Sequence, residues 1–457
     1  MLNQPSLSAG CFLLKFLIFA TLHTALSIEL FAQEEKLEMG LEEVLEYAFS
    51  HNPLLEQYSN QVDIAGLETR SANSGWLPQV GVMSDYIQYF EQPVAIFPDF
   101  DDPASGEFQE VRTGVPYNAS AVFSANQAIF SNELFRAKAQ APDIRKESNQ
   151  ILEEVKIELV MQVTTAFYEV LLAQEQVSLT KEDLVRQERQ LQDAKLLYEA
   201  GLTDQIDYKR ALMTLQNTRS ALYQYEQDIS MRSARLKELM GMKGPDQVSL
   251  NVAYDKLQEE IKADTLQVLS PSQRIEYSLV DTRKAIQESE LKFQKRNFLP
   301  QISAFFDYNL LYLGPVSSLL FDQTYTFSLV GLRLNYPIFQ GGRRNFDTRI
   351  AAMRLRNLEL EQDEVVNQVN REYEEALSNY KKQLYQLNVQ ESNKTLAEEI
   401  YEVVALQYEE GIKNFLEVIV AETDLRTSRI NYYRSLFGVL TGKLALERAR
   451  GELNIDY

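Results

Sequence analysis

The sequence predicts a mixed fold: a membrane β-barrel joined to a long α-helical coiled-coil barrel, built from two internal repeats. Three observations carry that reading. Arg344 to Glu410 runs without a proline or a glycine, and Val366, Val369, Tyr373, Ala376, Tyr380, Leu384 and Leu387 recur every three or four residues. Leu396, Ile400 and Val403 resume the spacing after a polar patch, which is one helix face repeated over many turns. At 1.5 Å per residue that helix is roughly 100 Å long, whereas helices of compact domains average about 10–14 residues. Second, Tyr198-Glu199-Ala200-Gly201-Leu202 and Tyr408-Glu409-Glu410-Gly411-Ile412 each end a long helix and open a returning one, 210 positions apart. Third, four segments alternate apolar and polar residues, as strands do when one face is wet and the other is not.

Composition narrows the function. The 457 residues carry a formal charge of -21, from 66 acidic and 45 basic side chains. Binding a phosphate backbone needs the opposite sign, so nucleic acid is not an expected partner. One Cys and two His leave no basis for a structural zinc site or a disulfide framework. No cofactor is expected. The 24 Tyr and 23 Phe against a single Trp suit surfaces that are apolar on one side and wet on the other.

Taken in order, residues 1–32 read as an export signal: Cys11 to Leu22 is almost wholly apolar, and Leu30-Phe31-Ala32 is a plausible cleavage site. The stretch is too short and poorly flanked for a membrane span, and no run of 18 apolar residues follows it, so any membrane passage must use strands. The first repeat occupies 33–242. It begins with a short amphipathic helix, Leu37 to Phe49, and a second helix from Pro53 to Asn73, which Gly75-Trp76-Leu77-Pro78 ends. Strands are expected at about 79–90 and 117–130, separated by a loop, Pro93 to Glu110, with an acidic run from Pro98 to Pro103. A helical hairpin over 133–240 follows. Residues 243–270 form a linker. The second repeat, 271–446, repeats the order: a helix over 271–297 ended by Leu299-Pro300, strands at about 301–313 and 324–339, and a hairpin over 344–446, with 447–457 as a tail. Ile302, Ala304, Phe306, Tyr308, Leu310 and Tyr312 make the clearest alternation. The last strand changes phase after Val330, which calls for a bulge or a change of environment.

Four strands cannot close a barrel, and open edges in a bilayer cost several kcal/mol for each unpaired backbone group. The edges therefore need other copies of the chain, and three copies would supply twelve strands around a wet lumen.

Several motifs, spread over the whole chain, give the pattern a family likeness. They are Asn52-Pro53, the paired Leu77-Pro78 and Leu299-Pro300, Tyr336-Pro337-Ile338-Phe339-Gln340-Gly341-Gly342-Arg343, and the two Gly turns, each followed by a helix carrying Ala211 or Ala421. In this order they resemble the TolC family of outer-membrane efflux and secretion channels. The resemblance implies a homotrimer with a twelve-stranded barrel in the outer membrane and a long helical tunnel in the periplasm. It also implies outer-membrane lipid around the barrel, and a periplasmic adaptor with an inner-membrane pump as partners. The implied function is passive export of small molecules. The alternatives are a type I protein-secretion outlet of the same fold and a coiled-coil envelope protein without a pore.

The same resemblance assigns residues. Glu417 falls where the family carries a gate aspartate, and a second acidic ring falls at Val420, so Glu422 or Asp424 stands in reserve for it. Three carboxylates around a narrow axis would repel one another and attract cations; the bland alternative is a solvated charge on a helix. Asp207 is the repeat equivalent of Glu417. Gly201 and Gly411 are turn residues on physical grounds, and with Leu202 and Ile412 they would meet the adaptor. Pro337, Gly341 and Gly342 would swing the chain from strand to helix. A nucleotide-loop reading of Gly341-Gly342 fails because Arg343-Arg344 stands where Lys-Ser/Thr is needed. Acidic pairs such as Glu374-Glu375 and Glu398-Glu399 lack a neighbouring His or nucleophile, so no enzyme is expected.

Overall fold

The computed structural model describes residues 37–98, 106, 108–243, 248–250, 257–259, 261–263 and 269–457. The expected leader at 1–32, residues 99–103 of the acidic run and parts of the 243–270 linker lie outside the described residues. The chain forms two compact units. One comprises Met1–Glu56, Lys156–Leu269 and Glu372–Tyr457; the other comprises Gln57–Val155 and Ser270–Arg371.

The elements run β1 (Leu37–Met39), α1 (Leu41–His51), α2 (Pro53–Asn73), β2 (Gln79–Gln88), β3 (Val94–Pro98), β4 (Phe108–Arg112), β5 (Tyr117–Phe130), α3 (Asn132–Glu199) and α4 (Gln205–Met240). They continue with β6 (Val248–Leu250), α5 (Ile275–Arg296), β7 (Gln301–Gly314), β8 (Thr324–Asn335), α6 (Arg343–Glu409) and α7 (Phe415–Arg450).

The expected closed barrel is not what the chain builds. Its largest sheet is an open one of four strands in the order β2-β5-β7-β8, with β2 and β8 as free edges. Four strands, each rotated about 20–25° from the next, do not come round to meet. Nor are there only four strands: β1 pairs in parallel with β6, and β3 pairs antiparallel with β4, where the sequence reads helix and loop. These pieces of three to five residues are too short to display a period. No described helix is long and apolar enough to cross a membrane.

The register of the four-stranded sheet sorts its side chains by face, because directly opposed residues point the same way. Val80 and Val82 oppose Ala125 and Phe123; these oppose Phe306 and Tyr308; and Ile302, Ala304 and Phe306 oppose Leu334, Leu332 and Val330. That face is apolar over this end of the sheet, and Ser328, Thr326 and Thr324 of β8 continue it at the other. The opposite face carries Gln79 against Asn126, Ser124 against Asp307 and Ser303 against Arg333. The β7–β8 register runs from Gln301↔Asn335 to Tyr312↔Thr324 without a shift, so the phase change in β8 is not a bulge. The irregularity lies in β5, between Ala128 and Phe130. Phe305, an apolar exception on the polar face, has a local reason. Its ring covers Gly331, which has no Cβ to obstruct it, and Arg333 stacks on it 5.0 Å from the centroid. In the same unit α5 is tied to the first turns of α3 by Arg136–Glu290 at 2.9 Å and to α6 by Gln287 donating to the Ala351 carbonyl at 3.1 Å.

The other unit is a helical bundle. Tyr373, Tyr380, Leu387, Tyr432, Leu436, Val439, Leu446 and Ala449 form one buried cluster along α6 and α7, which is the face the periodicity of α6 predicts. The Tyr380 hydroxyl donates to the Ile261 carbonyl at 2.8 Å and accepts from the Ala263 N–H at 3.0 Å, pinning linker backbone onto α6. The predicted face does not stay buried along the whole helix: Leu396, Ile400, Val403 and Leu406 are exposed. Asn52, between α1 and α2, is buried; it donates to the Leu239 carbonyl at 2.6 Å and accepts from the Leu54 N–H at 2.8 Å. Pro53 follows as the first residue of α2, where no N–H is missed.

Candidate functional site

The two helix tips are built alike. At the end of α3, the Gly201 N–H bonds to the Tyr198 carbonyl at 3.0 Å and the Leu202 N–H to the Leu197 carbonyl at 2.9 Å. At the end of α6, the Gly411 N–H bonds to Tyr408 at 2.9 Å and the Ile412 N–H to Gln407 at 2.8 Å. Both are the paired closure that requires a left-handed residue, and Gly201 and Gly411 supply it at φ +71° and +73°. Asp204 caps α4 and Asn414 caps α7. The apolar residue after each glycine is left outside: Leu202 is 73% exposed and Ile412 71%.

The tips also touch. Phe415 at the start of α7 is buried with Ala194 and Ala211, and Leu191, Tyr408 and Ile419 pack on them. Burial pushes the Tyr408 phenol up, and the charges of Asp207 and Asp193 add to it; Asp207 is half-buried. It also lies 3.9 Å from Arg210.

The four gate candidates on α7 divide. Glu417, half-buried, and Val420 and Asp424, exposed, share one side of the helix; successive offsets of three and four residues keep them in register. Glu417 is held locally: Lys413 Nζ lies 2.6 Å from its carboxylate, and its N–H donates to the Asn414 cap at 3.2 Å. Glu422 faces the opposite way and is 3% exposed. Pro337, Gly341 and Gly342 all fall in the link between β8 and α6, with φ +58° at Gly341 and +84° at Gly342.

Glu422 belongs to a buried charge cluster that sequence reasoning missed. Asp183 on α3 is 2% exposed. Arg186 hydrogen-bonds to it, and Arg426 on α7 reaches it at 3.8 Å. Arg186 Nε also lies 3.6 Å from Glu422 Oε1, and its guanidinium sits over the Tyr401 ring of α6. Arg429 joins Glu182 at 3.3 Å and Glu398 at 3.0 Å. Burial pushes the Asp183 carboxyl above its ordinary range, against the pull of Arg186 and Arg426. Glu422 is raised by burial first and by the nearby Asp183 charge second. Burial likewise takes the Tyr433 phenol to about 12. One charged knot thus ties α3, α6 and α7 together. A signal was present only in part: Asp183 and Arg186 sit three apart on α3, but their burial depends on α7, more than two hundred residues away. Among the described residues no group of three or more His, Cys, Asp or Glu is placed to hold a metal ion.

An amphipathic four-stranded sheet, with two long helical hairpins whose tips end in matched glycine turns, is the fold of an outer-membrane channel protein. The chain belongs to the outer membrane efflux protein family, whose model matches residues 44–242 and 284–452. It is 20% identical over 429 residues to the outer membrane protein TolC of Escherichia coli strain K12, covering 91% of this chain and 83% of that one. It shares its fold with the CmeC outer membrane channel of Campylobacter jejuni, at a TM-score of 0.71 and 14% identity over 90% of this chain and 85% of the other. The open-state MtrE outer membrane channel of Neisseria gonorrhoeae aligns at a TM-score of 0.69 and 13% identity, over 90% and 88%. The chain is therefore an outer-membrane channel protein of this family.

Proposed function

We propose that the chain works as a homotrimer, forming the outer-membrane conduit of a tripartite efflux assembly that passes small molecules outward. A periplasmic adaptor would engage the tips at Gly201, Leu202, Asp207, Gly411 and Ile412, and an inner-membrane pump would supply the work. The uncovered stripe of Leu396, Ile400, Val403 and Leu406 on α6 supports packing against further copies, since an apolar helix face is stable only when buried. The gate would be lined by Glu417, Val420 and Asp424, which share one open face close to the tips. Glu422, buried against Arg186, would hold α7 to α3 instead. Pro337, Gly341 and Gly342 would turn the chain from membrane strand to periplasmic helix.

The observation that carries this reading is the pair of matched tips, each presenting one bulky aliphatic side chain to solvent. Leu202→Asp combined with Ile412→Asp tests it. Loss of efflux with unchanged folding and membrane insertion is the expected result, because the contact surface would be made polar without touching the core. Full efflux by that variant would overturn adaptor docking at the tips.

A further inference from the structure

One basic segment of this acidic chain lies where the sheet meets the helices. From Arg343 to Asn357 there are five arginines, one aspartate, and neither lysine nor glutamate. From Glu359 to Glu410 thirteen carboxylates outnumber four cations. Helix stability does not explain this arrangement. The first turn of α6 holds no acidic residue, and Arg343 and Arg344 occupy the end of the helix where its dipole disfavours cations.

The sheet register brings a second pair of cations to the same place. Gln301 opposes Asn335, so the chain enters β7 beside the point where it leaves β8. Arg344 stacks over Phe298 at 5.6 Å, and Lys295 and Arg296 form the last turn of α5 just before it. All four cations are exposed. Arg343 has a loose partner in Asp347 at 3.5 Å, and Arg344 meets no carboxylate among the described residues. Ile338 and Phe339, in the link leading to α6, are the most exposed apolar residues beside them.

We propose that Lys295, Arg296, Arg343 and Arg344 bind the phosphate headgroup of an anionic phospholipid in the periplasmic leaflet, with Ile338 and Phe339 against its acyl chains. This rests on the proposed function, in which the helices are periplasmic and the apolar part of the sheet meets lipid, so that the junction between them lies at the inner headgroup layer. Guanidinium groups match phosphate oxygens two at a time. Each cation near an anionic bilayer surface adds attraction that the rest of this acidic chain cannot supply.

The test uses delipidated full-length protein in mixed micelles of phosphatidylglycerol and phosphatidylcholine, with retained lipid counted by native mass spectrometry. Wild type is expected to retain phosphatidylglycerol preferentially, and less so at high salt. Arg343→Gln with Arg344→Gln should reduce that preference about tenfold, and Lys295→Gln with Arg296→Gln should act in the same direction. Arg356→Gln, whose partner is Glu359 at 2.7 Å, should leave it unchanged. Helix content by circular dichroism reads whether each variant is folded, and two independent pairs keep the test open if one is not. An unchanged preference in either folded pair would overturn the proposal. Displacement of the lipid by millimolar inorganic phosphate would assign the site to a free anion and overturn it too.

Discussion

Arg186 Nε lies 3.6 Å from Glu422 Oε1, between helices α3 and α7, while the same guanidinium is hydrogen-bonded to Asp183. One cation thus serves two buried carboxylates, and both have raised pKa values. A raised carboxyl binds its proton more tightly in the folded protein than in the unfolded chain. Its contribution to stability is therefore fully present below the ordinary carboxylate pKa and is lost as pH rises through the raised value. The thermal midpoint of the helical unit is expected to fall as pH rises from the ordinary carboxylate range toward neutrality. Glu422→Gln, which keeps the shape and removes the charge, should flatten that slope and raise the midpoint at neutral pH. An identical slope in the variant would show that Glu422 does not titrate in the folded state.

Tyr380 holds linker backbone at two points, Ile261 and Ala263. Tyr380→Phe keeps the ring in its buried cluster and removes both bonds, leaving a carbonyl and an N–H without their partner. A loss of about 1–3 kcal/mol is expected in denaturant unfolding, together with faster amide exchange at Ala263. No change in either would mean that water replaces the hydroxyl at no cost.

Gly241 ends α4 at φ +73°, and a Cβ there would stand 2.3 Å from the His51 carbonyl oxygen. Gly241→Ala meets strain and backbone collision together, so it should cost several times the roughly 1 kcal/mol of an ordinary glycine replacement. A smaller change, Asn52→Ala, removes the bond to the Leu239 carbonyl and the bonds from the Leu54 and Leu55 N–H groups, at about 1–2 kcal/mol. Unfolding curves of the two variants should rank in that order; equal costs would contradict the close approach.

The long hairpins were legible because they rest on local rules. A period of 3.6 residues marks α3 and α6, and Gly201 and Gly411 mark where each turns. The alternation in β5 and β7 was legible for the same reason, and it assigned the faces that the register confirms. Three features were not. The strands β1, β3, β4 and β6 are too short to show a period. The phase change in β8 admits a bulge, but the pairing with β7 runs unbroken from Gln301↔Asn335 to Tyr312↔Thr324 and contains none. On α7, residue numbers near Glu417 suggested one site, whereas five residues of helix turn Glu422 to the far side. Its partners Asp183 and Arg186 are set by the packing of three helices, and no local pattern in any one of them reports it.

The central claim is a conduit whose entrance is lined by Glu417, Val420 and Asp424, and conductance across a planar bilayer tests it most directly. Full-length Val420→Cys protein would be reconstituted and treated with a bulky thiol-reactive cation. The chain's one cysteine, Cys11, lies in the expected leader. The account predicts a steady ion conductance that the reagent reduces in Val420→Cys and leaves intact in wild type. A conducting variant whose current is unaffected by a reagent shown to have reacted would contradict the placement of the gate, and a folded, inserted protein that never conducts would contradict the conduit itself.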